Sequence, residues 1–335
     1  MELNTATLSD FTKLGDVLWL KGLESVPKYA RSSGLFKEVP VSKNSGSSRE
    51  FSEIDVEEYA NRKEEGDQSS RANIQQGYSK TMTKYRVSKD VGITYEMRTE
   101  NKYPEVIARL TGLGYQVANR MELDLTHRIT FASAVAYTDM DGVSQSITVG
   151  DGLALASAVH TVRGSGVTYR NILANNPRPS KGALEGMERL CIENTVNQFG
   201  EKKGVPHDII WTTDEPNNVN FFKEYLNSTG APDYQNSAVK NVYMTKYKLV
   251  VLPLIATTAA GLVDTTKRYY WGLASSTMSS AFLGIWEEPH LKKAESLNAG
   301  EDFATDNWNF GARGGYGIAV VSANWFKISY GDATA

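Results

Sequence analysis

Between Tyr103 and Ala132 apolar residues recur at Val106, Leu110, Leu113, Val117, Met121, Leu125 and Ile129, in steps of three or four. That spacing places them on one stripe of a helix. Pro104 suits the first turn, where its missing N–H costs nothing. At 1.5 Å per residue the helix spans roughly 45 Å, longer than a compact domain of this size needs. It is a beam joining unlike parts. Gly112 and Gly114 interrupt it, each costing about 1 kcal/mol against alanine in a helix interior. They mark either a bend or a close packing contact.

Before the beam the pattern is thin. From Met1 to about Arg31, only a short helix with Phe11, Leu14, Val17 and Leu18 on one face is expected, capped at Ser9 or Asp10 and ending near Gly22. VSKNSGSSRE is a loop. The next stretch is charged in two halves of opposite sign. Between Glu50 and Asp67 the acidic residues Glu50, Glu53, Asp55, Glu57, Glu58, Glu64, Glu65 and Asp67 face only Arg62 and Lys63; from Arg71 to Arg98 the balance is basic, with Lys80, Lys84 and Arg86 among the cations. Tyr85, Val87, Val91, Ile93, Tyr95 and Met97 alternate with polar residues, which predicts a strand with one wet face. The whole reads as a long hairpin over 49–98, mobile in a monomer and ordered by lying across an adjacent subunit, because its excursion of about 45 residues holds too little apolar surface to stand alone. Glu53, Glu57, Glu58, Lys80, Lys84 and Arg86 are its candidate contacts to that neighbour.

After the beam the pattern changes period. A turn-rich link with a short strand near Ser146–Val149 leads to LALASAVHTV, expected as a helix, and to a loop. KGALEGMERLCIENTVNQFG is a helix capped by Ser180 and closed by Gly200, with Leu184, Met187, Cys191 and Phe199 inward. HDIIWTT, YKLVVLPLI, RYYWGLA and FLGIWEEP are strands and EPNNVNFFKEYL a helix. GARGGYG is expected as a turn before the strand run IAVVSANWFKISY, which packs back on the beam. The fold class is α+β. The parts are an arm (1–48), the hairpin (49–98), the beam-bearing domain (99–150), an α/β domain (151–300) and a closing strand (301–335).

Composition narrows the function. With 335 residues, 41% of them hydrophobic, the chain can bury real cores. A formal charge of −3 argues against a broad basic face for nucleic acid. Cys191 is the one cysteine, so no disulfide framework or thiolate zinc site exists. The first 30 residues lack a basic start followed by an apolar run, so no signal peptide is expected there, and Leu249–Val263, interrupted by Pro253, is too short to span a membrane. The histidines His127, His160, His207 and His290 lack metal-site spacing. Asp139, Asp141 and Asp151 invite a calcium reading, but no glutamate stands at the twelfth position counted from Asp139 or Asp141. GSG at 164–166 and GARGGYG lack the Lys-Ser/Thr of a phosphate loop. No catalytic, cofactor or metal residue is assigned, and a non-enzyme is expected. A carbohydrate-active enzyme with a distant carboxylate pair remains the alternative from another class.

The order of parts resembles the major capsid proteins of tailed bacteriophages, the Hong Kong 97-like fold, whose parts are the N-arm, the E-loop, the peripheral domain with its spine helix, and the axial domain. Asp151–Met187, with a His before a Gly-containing turn, an Asn and a new helix, is similar to the family's entry into the axial domain. His207–Trp211, Asn218 and Tyr247–Leu254 are similar to its strand–helix–strand core. The resemblance implies a structural protein that assembles with itself as hexamers and pentamers into an icosahedral shell enclosing double-stranded DNA in the virion. It also implies assembly in the host bacterial cytoplasm, a portal, and a separate scaffolding protein or a processed chain, since Met1 stands almost directly on the arm. The family's Lys–Asn cross-link cannot be mapped here. Encapsulin nanocompartments share the fold and are the nearer alternative.

Overall fold

The computed structural model describes residues 5–42, 45–94, 96, 97, 100, 103–230, 240–292, 301, 302 and 307–332. The beam is a single helix, here α2, Tyr103–Thr130. All seven residues of its apolar stripe are buried, at 2% exposure or less. Each contributes about 1.5–3 kcal/mol of burial, which holds so long a helix on the elements it packs against.

The arm helix α1, Thr5–Glu24, is longer than its few apolar residues suggest. It buries Leu18 and Trp19 against α2, with Gly15 and Gly22 on the same side, while Leu14 and Val17 are exposed. The expected apolar face is thus rotated, because the two helices approach along small residues. The chain beyond α1 is tied to α2 by the Ala30 N–H, which donates to Glu122 Oε2 at 2.8 Å.

Strands β1 (Lys37–Pro40), β4 (Tyr85–Ile93), β12 (Ala281–Lys292), β13 (Glu301–Asp302) and β14 (Asn307–Val320) form a five-stranded sheet under α2. β4 pairs with β14 from Ile93↔Trp308 to Tyr85↔Tyr316. The alternation read at 85–93 is therefore real, with Ile93 fully buried, but this strand is not an arm of the hairpin. GARGGYG is likewise no turn; it is the middle of β14. Its glycines let neighbouring chains close in: a Cβ at Gly311 would lie 2.4 Å from Asp90 Oδ1 and one at Gly317 2.5 Å from the Thr83 carbonyl oxygen.

The second unit is a four-stranded sheet ordered β10 (Lys248–Val251), β9 (Ile209–Thr212), β11 (Trp271–Ala274), β15 (Phe326–Ser329). Helices α3 (Lys181–Glu193) and α4 (Pro216–Asn227) cover it. The Ser180 side chain caps α3 by accepting from Ala183 N at 3.2 Å. α3 stops at Glu193, short of Gly200. Sheet pairing corrects the expected boundaries: β12 lies in the α2 sheet rather than the α/β domain, and β15 in the α/β sheet rather than with the closing strand. LALASAVHTV is not helical. Ala156 N–H bonds the Ala132 carbonyl, and His160 and Thr161 pair with Thr168 and Tyr169 as strands β7 and β8, so the segment's backbone partners are non-local. Small antiparallel strands β5 (Ala136–Thr138) and β6 (Ser144–Ser146) close the link after α2.

His127 lies buried on α2, edge-on to Phe131 and Tyr137. Burial, with Lys267 and Arg120 nearby, lowers its pKa to about 4. The unfolded ring takes up a proton near 6.5, so unfolding gains a proton as pH falls from 6.5 to 4 and stability declines across that window. His127→Gln should remove roughly 2 kcal/mol of this acid loss. Urea midpoints recorded from pH 7 to pH 4 check it; parallel curves for the two chains would refute the assignment.

Candidate functional site

The site is a surface. Strands β2 (Ser48–Val56) and β3 (Ile74–Thr83) form a two-stranded ribbon with a register shift between Ser52 and Ile54. The link from Glu58 to Asn73 forms no strand and is exposed. Along β2, Phe51, Glu53 and Asp55 are partly buried, whereas Ile54 and Val56 face out with Ile74 beside them.

The inward face of the ribbon lies on its own subunit. Gln198 Nε2 donates to Glu53 Oε2 at 2.9 Å and Gln198 N to Asp55 Oδ2 at 3.2 Å. Lys203 Nζ reaches Asp55 Oδ1 at 2.7 Å. The Glu58 N–H donates to Glu201 Oε2 at 3.0 Å, Arg163 Nη1 to the Gly77 carbonyl at 3.1 Å, and Tyr78 Oη meets Thr161 Oγ1 at 3.0 Å. Glycines allow the approach: a Cβ at Gly77 would sit 2.6 Å from Gln198 Nε2, and one at Gly164 2.5 Å from Gln75 Cδ.

The candidate contacts therefore divide. Glu53 is turned under the ribbon, Lys80 Nζ donates to Thr148 Oγ1 at 2.6 Å, and Lys84 lies 3.9 Å from Glu287 Oε2. Glu57 Oε2 accepts from Asn73 N at 3.5 Å across the ribbon's end. Glu58 and Arg86 present their side chains to solvent. Sequence reasoning missed Gln198, Glu201 and Lys203, which carry no signal beyond lying in a polar loop far along the chain. These three residues seat the ribbon on its own chain.

Arg86 borders a groove of about 710 Å³ between β4 and α2, with Lys89, Tyr115, Leu123 and Met140 also lining it. Arg120 at its floor is held by Asp124 at 3.0 Å, Asp139 at 3.3 Å and Asp141 at 3.0 Å. Tyr316 Oη donates to Asp124 Oδ2 at 2.7 Å and fixes the network to β14. This explains Asp139 and Asp141 structurally: they orient an arginine. α2 runs unbroken through Gly112 and Gly114, and Gly114 lies where α1 crosses it: a Cβ there would stand 2.2 Å from the Trp19 carbonyl oxygen.

Under Glu53 lies a cavity of about 10 Å³, lined also by Asp151, Tyr169 and Asn324. Burial raises the Glu53 pKa to about 7, and the charge of Asp55 adds to this, against Lys203 and a hydrogen bond from Ser322. Asp151 Oδ2 meets His160 Nδ1 at 2.7 Å. Although burial opposes it, that contact and the Leu153 N–H hold the Asp151 carboxyl below its ordinary value. On the far side of Tyr169, Lys327 is fully buried with Nζ donating to the Asn194 carbonyl at 2.9 Å, and burial lowers its pKa to about 8. No helix among the described residues is long and apolar enough to cross a membrane.

No protein-family model matches this sequence, and no curated protein matches it. Solved structures do. The chain superposes on the asymmetric unit of the bacteriophage PhiM1 mature capsid with a TM-score of 0.50 at 11% identity, covering 90% of this chain and 86% of that one. It is also similar to the procapsid of bacteriophage JBD30 (TM-score 0.46, 9% identity, 99% and 77% covered) and to a virus-like particle from Pyrococcus furiosus (0.45, 9%, 95% and 98%). The chain has the Hong Kong 97-like capsid fold, mixed helix and sheet, over nearly its whole length.

Proposed function

We propose that this chain is a major capsid protein of a tailed phage. Copies assemble as hexamers and pentamers into the icosahedral head shell that encloses double-stranded DNA, in the host bacterial cytoplasm, with a separate scaffolding protein and a portal as partners. The role is structural. The observation that carries the reading, beside the fold, is that both thin parts of the chain hold uncovered apolar groups, as do other faces of the subunit, Val242, Leu262 and Val263 among them. Ile54, Val56, Tyr59 and Ile74 on the ribbon and Leu14, Val17 and Leu20 on the arm helix are all exposed. These are the two thin parts of the chain, and neighbouring copies would cover them. Such contacts are individually weak, but each subunit makes several, and their sum closes a shell. The acidic tip of the ribbon suits the Arg86 and Lys89 rim of a neighbour's groove. A net charge of −3 fits a shell that surrounds DNA without gripping each phosphate.

Negative-stain microscopy and sedimentation of the chain, coexpressed with its neighbouring genes, test the proposal. Closed shells or five- and six-fold rings are expected. A chain that stays monomeric under those conditions would overturn it, and shells filled with a protein cargo would redirect it to a nanocompartment.

A further inference from the structure

The seat of the ribbon places two carboxylates, Glu53 and Asp55, on one residue, Gln198, with one cation between them. Lys203 bonds Asp55. Glu53 meets the uncharged Gln198 amide and Ser322, and faces a cavity with room for about one water. The other charged or titratable groups around it are fixed elsewhere: Lys80 on Thr148, Asp151 on His160, Arg163 on the Gly77 carbonyl, Glu201 on the Glu58 N–H. Tyr169 completes the wall from β8. A carboxylate pair of this kind is comfortable with one member neutral and strained with both ionised.

We propose that Glu53 is a proton-operated latch, which holds the β2–β3 ribbon on its own subunit while protonated and loosens it on ionising. The ribbon then exchanges its intramolecular seat for a neighbouring subunit, and this last step rests on the capsid reading above. Free of the seat, Glu53 ionises near its ordinary 4.5; seated, it does so at about 7. Seating therefore binds a proton between those values. The seat is strongest below pH 4.5, weakens as pH rises to about 7, and changes no further once Glu53 is ionised in both states.

The test follows two amides whose hydrogen bonds exist only in the seated ribbon, Glu58 N to Glu201 and Gln198 N to Asp55. Hydrogen exchange of the full chain is measured from pH 5 to pH 8 and corrected for the chemical exchange rate. In the wild type the open fraction should rise on the order of 100-fold over that range. Glu53→Gln, nearly isosteric and permanently neutral, should stay seated throughout. Asp55→Asn removes the like charge and frees Lys203 for Glu53, which brings the seated value of Glu53 down toward its free one, so the rise in opening should end at lower pH and be smaller than in the wild type, which a merely structural contact would not do. A Glu53→Gln chain that opens with the wild-type pH dependence, or a wild type equally protected at every pH, would overturn the latch. Shell formation is scored separately: pH-dependent opening without shells would count against the capsid reading and leave the latch standing.

Discussion

Reversing the charge of the ribbon tip, Glu58→Lys with Glu64→Lys and Glu65→Lys, should abolish shell formation while leaving the subunit folded. All three side chains are exposed. Substitutions of that kind shift subunit stability by about 0.5 kcal/mol or less. Assembly is different, because the tip of every copy would face the basic groove rim of its neighbour, Arg86 and Lys89, and a loss of roughly 1 kcal/mol per contact recurs at each of the contacts that close a shell. The sedimenting fraction should fall at least roughly tenfold at 0.1 M salt, where such charges are felt over about 10 Å. The complementary pair Arg86→Glu and Lys89→Glu should restore it in the reversed background and impair it alone. Equal shell yield in the triple variant would show that the tip does not dock there, and failure of the swap would move the partner surface away from this groove.

How much of this was legible in the sequence depends on the range of the interactions involved. The spine helix was legible to within two residues of its end, because a 3.6-residue period is a local property and its seven apolar positions are all buried, the first four in the cluster with α1 and the last three in the cluster shared by the two large sheets. The strand at 85–93 was legible for the same reason, but not its partner: β14 lies more than 200 residues on, out of reach of any local period, and the ribbon is β2 with β3 alone, shorter than a hairpin over 49–98. Small residues misled twice. In GARGGYG they signalled a turn, yet they serve close approach within a buried strand; in LALASAVHTV small apolar residues suggested a helix where the backbone bonds to Ala132 and to a short strand pair. Glu53 was legible as a charged strand residue. That it faces inward follows from its parity with Phe51 and Asp55, but the groups it meets lie at Gln198 and Lys203, and no periodicity links positions that far apart.

The helix crossing gives three alanine substitutions with expected effects of different sign. At Gly22 a Cβ would stand 2.2 Å from the Thr111 carbonyl oxygen and 3.2 Å from Gly114 Cα; at Gly114 it would stand 2.2 Å from the Trp19 carbonyl oxygen and 3.1 Å from Gly22 Cα. Both contacts are with backbone, which cannot swing aside, so α1 must lift away from α2 and Leu18 and Trp19 lose their packing on Leu110 and Leu113. Gly22→Ala and Gly114→Ala should each destabilise the arm by about 2–3 kcal/mol, enough to outweigh alanine's better helix propensity. Gly112 is the control. Its Cβ would meet nothing nearer than Tyr115 Oη at 3.8 Å, so Gly112→Ala should stabilise by roughly 0.5–1 kcal/mol. Urea unfolding reports the sign, and trypsin cleavage after Lys21 reports release of the arm. If the glycines served instead as a bend in the spine, Gly112→Ala and Gly114→Ala would behave alike in any shape change of the shell, and Gly22→Ala would be silent. A stabilised Gly112→Ala beside two chains with released arms assigns Gly114 to the crossing, and a subunit that keeps its arm in all three variants removes the crossing from the account.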